Sequence, residues 1–118
     1  MKLLPPMRFR FHEDDHERYG SDWWVYDEAA LVRVPARQLV EIEQQIGMGV
    51  RDMCLGVRTN LTFANLASMW VVRKLAGVDE DFASFEPLVW LADWEPAPAT
   101  DVDPPASTSS TSPPSAEA

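Results

Sequence analysis

The 118-residue chain carries 10 basic and 19 acidic side chains, a formal charge of −9 at pH 7. That balance excludes a protein that holds nucleic acid by neutralising phosphates, which demands an excess of Lys and Arg. With 46% hydrophobic residues, five Trp and five Phe, the composition is that of a folded domain with a core, and the length allows one domain. 

Met7 to Phe11 alternates apolar and basic residues with a period of two, the pattern of a strand with one buried and one wet face. A charged, acid-rich loop follows from His12 to Asp22, and Trp23 to Tyr26 then offers β-favouring aromatic residues. The two segments are expected to pair as an antiparallel hairpin with a long loop. Leu31 to Val34, β-branched and ending at Pro35, reads as a short third strand. From Pro35 the period changes to that of a helix: Leu39, Ile42 and Ile46 share a face, and Gly47 can stop the helix in a left-handed conformation. Val50, Met53, Cys54 and Val57 suggest a short second helix kept brief by Gly49 and Gly56. Thr62 to Leu75 is the most apolar segment and the expected central core helix, with Thr62 as its N-cap, Phe63, Leu66 and Met69 around a structural Trp70, and Gly77 beyond its end. Arg73 and Lys74 suit the negative end of its dipole. Ser84 is the expected N-cap of a last short helix, with Leu88, Val89, Trp90 and Leu91 as its buried side.

After Trp94 the composition changes sharply. Glu95 to Ala118 holds six Pro, eight Ser or Thr, no aromatic and no basic residue, too little apolar surface to offset the entropy of ordering it. The organisation expected is therefore an α+β, mainly helical domain over residues 1–94: a short N-terminal hairpin, three to four helices, and then a disordered, acidic tail over 95–118. The domain alone carries −5, with 15 acids against 10 bases.

The motifs that resemble chemistry have plainer readings. His12-Glu13-Asp14-Asp15-His16 matches the H-E-x-x-H pattern of zinc hydrolases. That mechanism needs a buried helix and a third ligand, and this stretch has no apolar periodicity, so a solvated loop is expected. Asp79-Glu80-Asp81 lacks the ligand spacing of a calcium loop and reads as a charged turn. Asn60-Leu61-Thr62 is a glycosylation sequon without a secretion signal. Cys54, the lone cysteine, cannot make an internal disulfide, which suits a reducing compartment; with no His or basic neighbour it reads as a buried small hydrophobe. No apolar run at Met1 to Pro6 suits a signal peptide and no later stretch approaches a membrane span, so a soluble, cytoplasmic protein that is not an enzyme and holds no metal or cofactor is expected. Trp23, Trp24, Trp90 and Trp94 lie at the margins of the domain. Either Trp24 and Trp90 pack inward with Trp23 and Trp94 half exposed, or some of these rings form a partner-binding patch, since Trp favours interfaces.

The order of elements carries a resemblance. The hairpin start Arg8-Phe9-Arg10-Phe11, the helix end Glu41-Ile42-Glu43-Gln44-Gln45-Ile46-Gly47, the helix with Ala67-Ser68-Met69-Trp70 followed by Arg73-Lys74-Leu75-Ala76-Gly77, and Phe82-Ala83-Ser84-Phe85-Glu86 together resemble the small tail assembly chaperones of long-tailed bacteriophages, especially those of actinobacteria. The resemblance spans residues 8 to 91, and the loop from Glu13 to Asp22 is longer than the family's pattern. It implies a non-enzymatic protein of the host cytoplasm that binds the tape measure protein, prevents its aggregation and helps recruit tail tube protein. It also implies absence from the mature virion and co-assembly with itself or with a longer frameshifted form. The competing expectation is a small acidic regulatory or inhibitor protein that covers a basic surface on an enzyme; a hydrolase using His12, Glu13 and His16 ranks below both.

Overall fold

Strand β1, Met7–Arg10, lies at the centre of a three-stranded antiparallel sheet, with β2, Trp24–Tyr26, on one side and β3, Asp93–Pro96, on the other. These elements belong to a computed structural model that describes residues 2–98; the expected tail over 95–118 lies outside the described residues from 99 onward. The alternation read in the sequence sets the two faces of the sheet. Phe9 stands opposite both Trp24 and Trp94, and Met7 opposite Tyr26 and Pro96, on the core side. Arg8 and Arg10 stand on the outer side, paired across the strands with Glu95 and Asp93.

The predicted hairpin is present, and the fold is α+β. Its loop is more structured than expected: a 3-10 turn over Glu13–Asp15 leads into the one-turn helix α1, His16–Tyr19, which buries Tyr19. The third strand expected at Leu31 to Val34 is a correction. Glu28–Leu31 forms a single helical turn, α2, because the Asp27 carboxylate caps it by accepting from the Ala29 N–H at 3.0 Å, so that Glu28 and Leu31 both turn inward. The third strand is β3 instead, formed because the central strand β1 has a second edge to satisfy. It runs two residues past the Trp94 boundary read from composition. Pro96 has no N–H to give, which an edge strand tolerates.

Helix α3, Ala36–Ile46, buries Ile42 and Ile46 and ends at Gly47, whose φ of +75° is the left-handed stop expected there. Glu43 then accepts from the first N–H of α4, Val50–Arg58, at 2.8 Å. Gly56 does not shorten α4. It lies inside the helix, where a Cβ would stand 2.5 Å from Cβ of Ala64, so its role is to let α4 and α5 approach closely. The turn between them closes with Asn60 at φ 56° and with N–H bonds from Asn60 to Val57 and from Leu61 to Gly56, the pattern of a left-handed helix stop.

Helix α5, Thr62–Leu75, is the central helix, burying Ala64, Ala67, Met69, Trp70 and Val71. Two details differ from expectation. Leu61, not Thr62, is the capping position, and Phe63 faces outward against Phe82 instead of covering Trp70. Trp70 is fully buried, and its indole N–H donates to the Glu80 carbonyl at 3.0 Å.

The last predicted helix does not exist. Two separate 3-10 turns, Phe82–Ser84 and Val89–Leu91, replace it, with Ser84 inside the first. Pro87 interrupts helical bonding, and the neighbouring N–H groups are claimed by other elements: Glu86 N–H donates to the Tyr19 hydroxyl at 3.0 Å and Leu88 N–H to the Asp15 carboxylate at 2.8 Å. Leu88, Trp90 and Leu91, expected inside, therefore face outward. Among the described residues, no helix is long and apolar enough to cross a membrane.

Candidate functional site

The four marginal tryptophans separate into three environments. Trp23 lies half-buried on the outer face of the sheet, beneath the guanidinium groups of Arg8 and Arg10 at 4.1 and 4.5 Å from its ring centre. Both cations are already paired with β3 acids, so the ring is clamped in place by its own chain. Trp24 is on the inner face, with the Arg73 guanidinium 5.2 Å from its ring. It borders a hollow of about 300 Å³ that β2 shares with Leu31, Val71, Val72 and Leu75. Trp94 packs against Phe9 at 4.9 Å and Tyr26 at 6.3 Å between ring centres. Trp90 alone of the five tryptophans is exposed, at 59%.

Trp90 owes its position to the 3-10 turn that carries it and to one hydrogen bond, from its indole N–H to the Thr62 hydroxyl at 3.1 Å. The ring is therefore held against the first turn of α5, with its apolar surface in water. It forms a ridge between two hollows. On one side a groove of about 420 Å³ is lined by Thr62, Leu66, Pro87, Leu88 and Leu91. On the other, a cavity of about 440 Å³ lies between Trp90 and Trp94 and is walled by Leu4, Met7, Val57 and Asn65. Leu88, Trp90 and Leu91 are each more than 40% exposed, and three large apolar side chains in four residues make a patch of the kind that marks an interaction surface. Helical spacing predicts Leu88, Trp90 and Leu91 on a buried face, and only the alternative of a tryptophan patch points to Trp90 and Trp94. The available signal was Pro87, which denies the segment a continuous helix.

Beneath the cavity runs a buried polar network. The Glu28 carboxylate, 1% exposed, accepts from the Leu4 N–H and the Tyr26 hydroxyl, each at 2.9 Å, and from Arg58 Nη2 at 2.5 Å. Arg58 also donates to the Lys2 carbonyl at 2.6 Å. Burial by itself pushes the Glu28 pKa up, but these three hydrogen bonds and the Arg58 charge outweigh it and leave the pKa below the usual value. Cys54 Sγ lies 3.3 Å from the Tyr26 hydroxyl, and burial pushes the pKa of both groups up. A thiol held in its neutral form suits a packed side chain more than a nucleophile. The network ties residues 2–4, which carry the Leu4 wall of the cavity, to α2 and α4.

The other motifs resolve into structure. His12 accepts from the Asp14 N–H through Nδ1 at 3.1 Å, and His16 Nε2 donates to the Phe11 carbonyl at 2.8 Å, so each imidazole serves the turn it stands in. Glu80 of the acidic turn is engaged by Arg73. Asn60 and Leu61 of the sequon form the α4–α5 turn. Among the described residues, no group of three or more His, Cys, Asp or Glu is placed to hold a metal ion. Comparison with protein-family models, curated proteins and solved structures gives no match.

Proposed function

We propose that this protein is a non-enzymatic binding protein that holds an apolar helical segment of a client. We further propose that the client is the tape measure protein of a long-tailed bacteriophage, as the resemblance in the sequence implies. The observation that carries the binding role is the Trp90 ridge: an indole hydrogen-bonded to Thr62, flanked by exposed Leu88 and Leu91 and by an apolar hollow on either side. A ring locked in one orientation loses little entropy when covered, and grooves on either side suit the i, i+3, i+4 side chains of an amphipathic helix. The net negative charge keeps the free protein soluble while the patch stays open. On this reading it works in the host cytoplasm, shields the tape measure protein until tail tube subunits assemble, and is absent from the mature virion. Self-association or a longer frameshifted form belongs to the same proposal.

Co-expression with the tape measure protein tests it. The client's soluble yield should rise with this partner and should fall back when Trp90 and Leu91 are both changed to Glu. The complex should also withstand raised salt, because apolar burial is not screened as ion pairs are. An equally insoluble client with and without this protein would defeat the proposal. Dissociation on modest salt addition would favour the acidic inhibitor that covers a basic surface.

A further inference from the structure

We infer that the cavity between Trp90 and Trp94 is a recognition site for one apolar side chain of a peptide together with the neutral carbonyl next to it. The polar contact we assign to that carbonyl is the Asn65 carboxamide, one of the cavity's lining residues. This deepens the client-binding proposal and rests on it only for where the peptide comes from. The wall is mostly apolar, Leu4, Met7, Val57 and the two indoles, with Arg58, Asn60 and Asn65 as its polar residues, and the volume of about 440 Å³ takes one large side chain with its flanking peptide groups.

Two polar groups at the wall make no hydrogen bond among the described residues, one of them facing the open cavity and the other buried. Asn65, on α5, is 7% exposed and lines the cavity, and its carboxamide makes no hydrogen bond among the described residues, since only its main-chain N–H and carbonyl are engaged. Arg58 Nε is buried and also without a partner. The Asn65 carboxamide, on the wall of a mostly apolar cavity, offers a donor to a carbonyl and an acceptor to an N–H, the two groups of a peptide unit.

Charge decides between a neutral and an ionic occupant. Arg58 is already neutralised by Glu28, so an incoming carboxylate would meet a second buried carboxylate with one cation between them, in a domain that is itself net negative. An incoming cation would meet Arg58. The carbonyl of an uncharged peptide unit meets neither cost, and its oxygen can accept from the Asn65 carboxamide that lines the cavity.

Three small probes that share a benzyl group separate the elements of this site: N-acetyl-L-phenylalaninamide, 3-phenylpropionate and ethylbenzene. In 15N–1H spectra of the full chain, the amide should shift the Asn65 side-chain NH₂ pair and the Trp90 and Trp94 indole N–H signals. It should bind about tenfold more tightly than either other probe, the scale of one buried hydrogen bond. Asn65→Leu should remove that advantage, leaving the amide no tighter than ethylbenzene in the same variant, and Asn65→Asp, which keeps the size but loses the donor, should remove it as well. Equal binding of the three probes, an unmoved Asn65 pair, or indole signals that respond to protein concentration and not to the amide would each overturn the inference, the last because a second copy would then occupy the cavity. The two proposals fail separately. If the amide binds as described but the tape measure protein stays insoluble, the site stands and the client does not. If wild type and Asn65→Leu rescue the client equally, the client stands and the site's recognition role falls.

Discussion

Arg73 and Glu80 form a two-pronged ion pair, with Arg73 Nε 2.6 Å from Oε2 and Nη2 3.1 Å from Oε1, and they do so inside the protein. The Arg73 side chain is 7% exposed. Its guanidinium lies 5.2 to 5.8 Å from the ring centres of Tyr19, Trp24, Phe11 and Phe85 and donates to the Tyr19 carbonyl at 3.2 Å. The pair joins the end of α5 to α1, to the sheet and to the turn after α5, where the Glu80 carbonyl also receives the Trp70 indole N–H. Arg73→Ala should therefore cost about 3–5 kcal/mol, because it leaves the Glu80 charge and an aromatic cage without their occupant. Urea unfolding of the variant checks this, and a loss below about 1 kcal/mol would mean the cage is dispensable.

Glu28 makes stability depend on pH with a definite sign. Its folded-state pKa lies below the ordinary 4.5, so its contribution is complete above 4.5 and is lost as pH falls from there through the lowered folded value. Glu28→Gln should cost about 3–5 kcal/mol at neutral pH by leaving Arg58 unpaired. The gap between variant and wild type should narrow as pH falls below 4.5. A gap that stays constant down to acid unfolding would show that the carboxylate's ionisation is not what stabilises the network.

Gly56→Ala should destabilise by about 1–3 kcal/mol through overpacking, since the new methyl would stand 2.5 Å from the Ala64 Cβ. The same change made in an Ala64→Gly background should cost less, because the opposing methyl is gone. A double-mutant cycle measures this coupling, and additive effects would place the close approach elsewhere.

Trp70 and Trp90 should respond oppositely to truncation. Trp70→Ala should cost about 3–5 kcal/mol, as for a fully buried ring. Trp90→Ala should change stability by no more than about 0.5 kcal/mol, as for a surface position, yet weaken client capture. Thermal melts of both variants beside the co-expression assay separate the structural ring from the binding one.

Ending the chain at Trp94 should lower the melting temperature, whereas ending it at Pro98 should not. The shorter chain loses the Arg8–Glu95 pair, half of β3 and the N–H bond from Ala97 to the Pro6 carbonyl at 3.0 Å. Equal melting of the two truncations would show that β3 contributes nothing to the sheet.

Local signals determined much of this protein. The alternation of Met7 to Phe11, the aromatic run at Trp23 to Tyr26, the helical period ending at Gly47 and the apolar length of Thr62 to Leu75 each specify an element through residues within it, and those elements are present. What tertiary structure decided is where local signals are weak or are outbid by distant groups. Leu31 to Val34 has strand-like residues, but the Asp27 cap begins a helical turn before it. Leu88 to Leu91 has helix-like spacing, but Tyr19 and Asp15 take the N–H groups flanking Pro87. Glu95 and Pro96 read as tail, yet Asp93–Pro96 becomes a strand because β1 has a second edge, a fact held 83 residues away in Arg10 and its partner Asp93. The same holds for the candidate site. That tryptophans crowd the margins of the domain is legible in composition, whereas which of them is clamped, packed or exposed follows only from the cations, rings and hydroxyls that the fold brings beside each one.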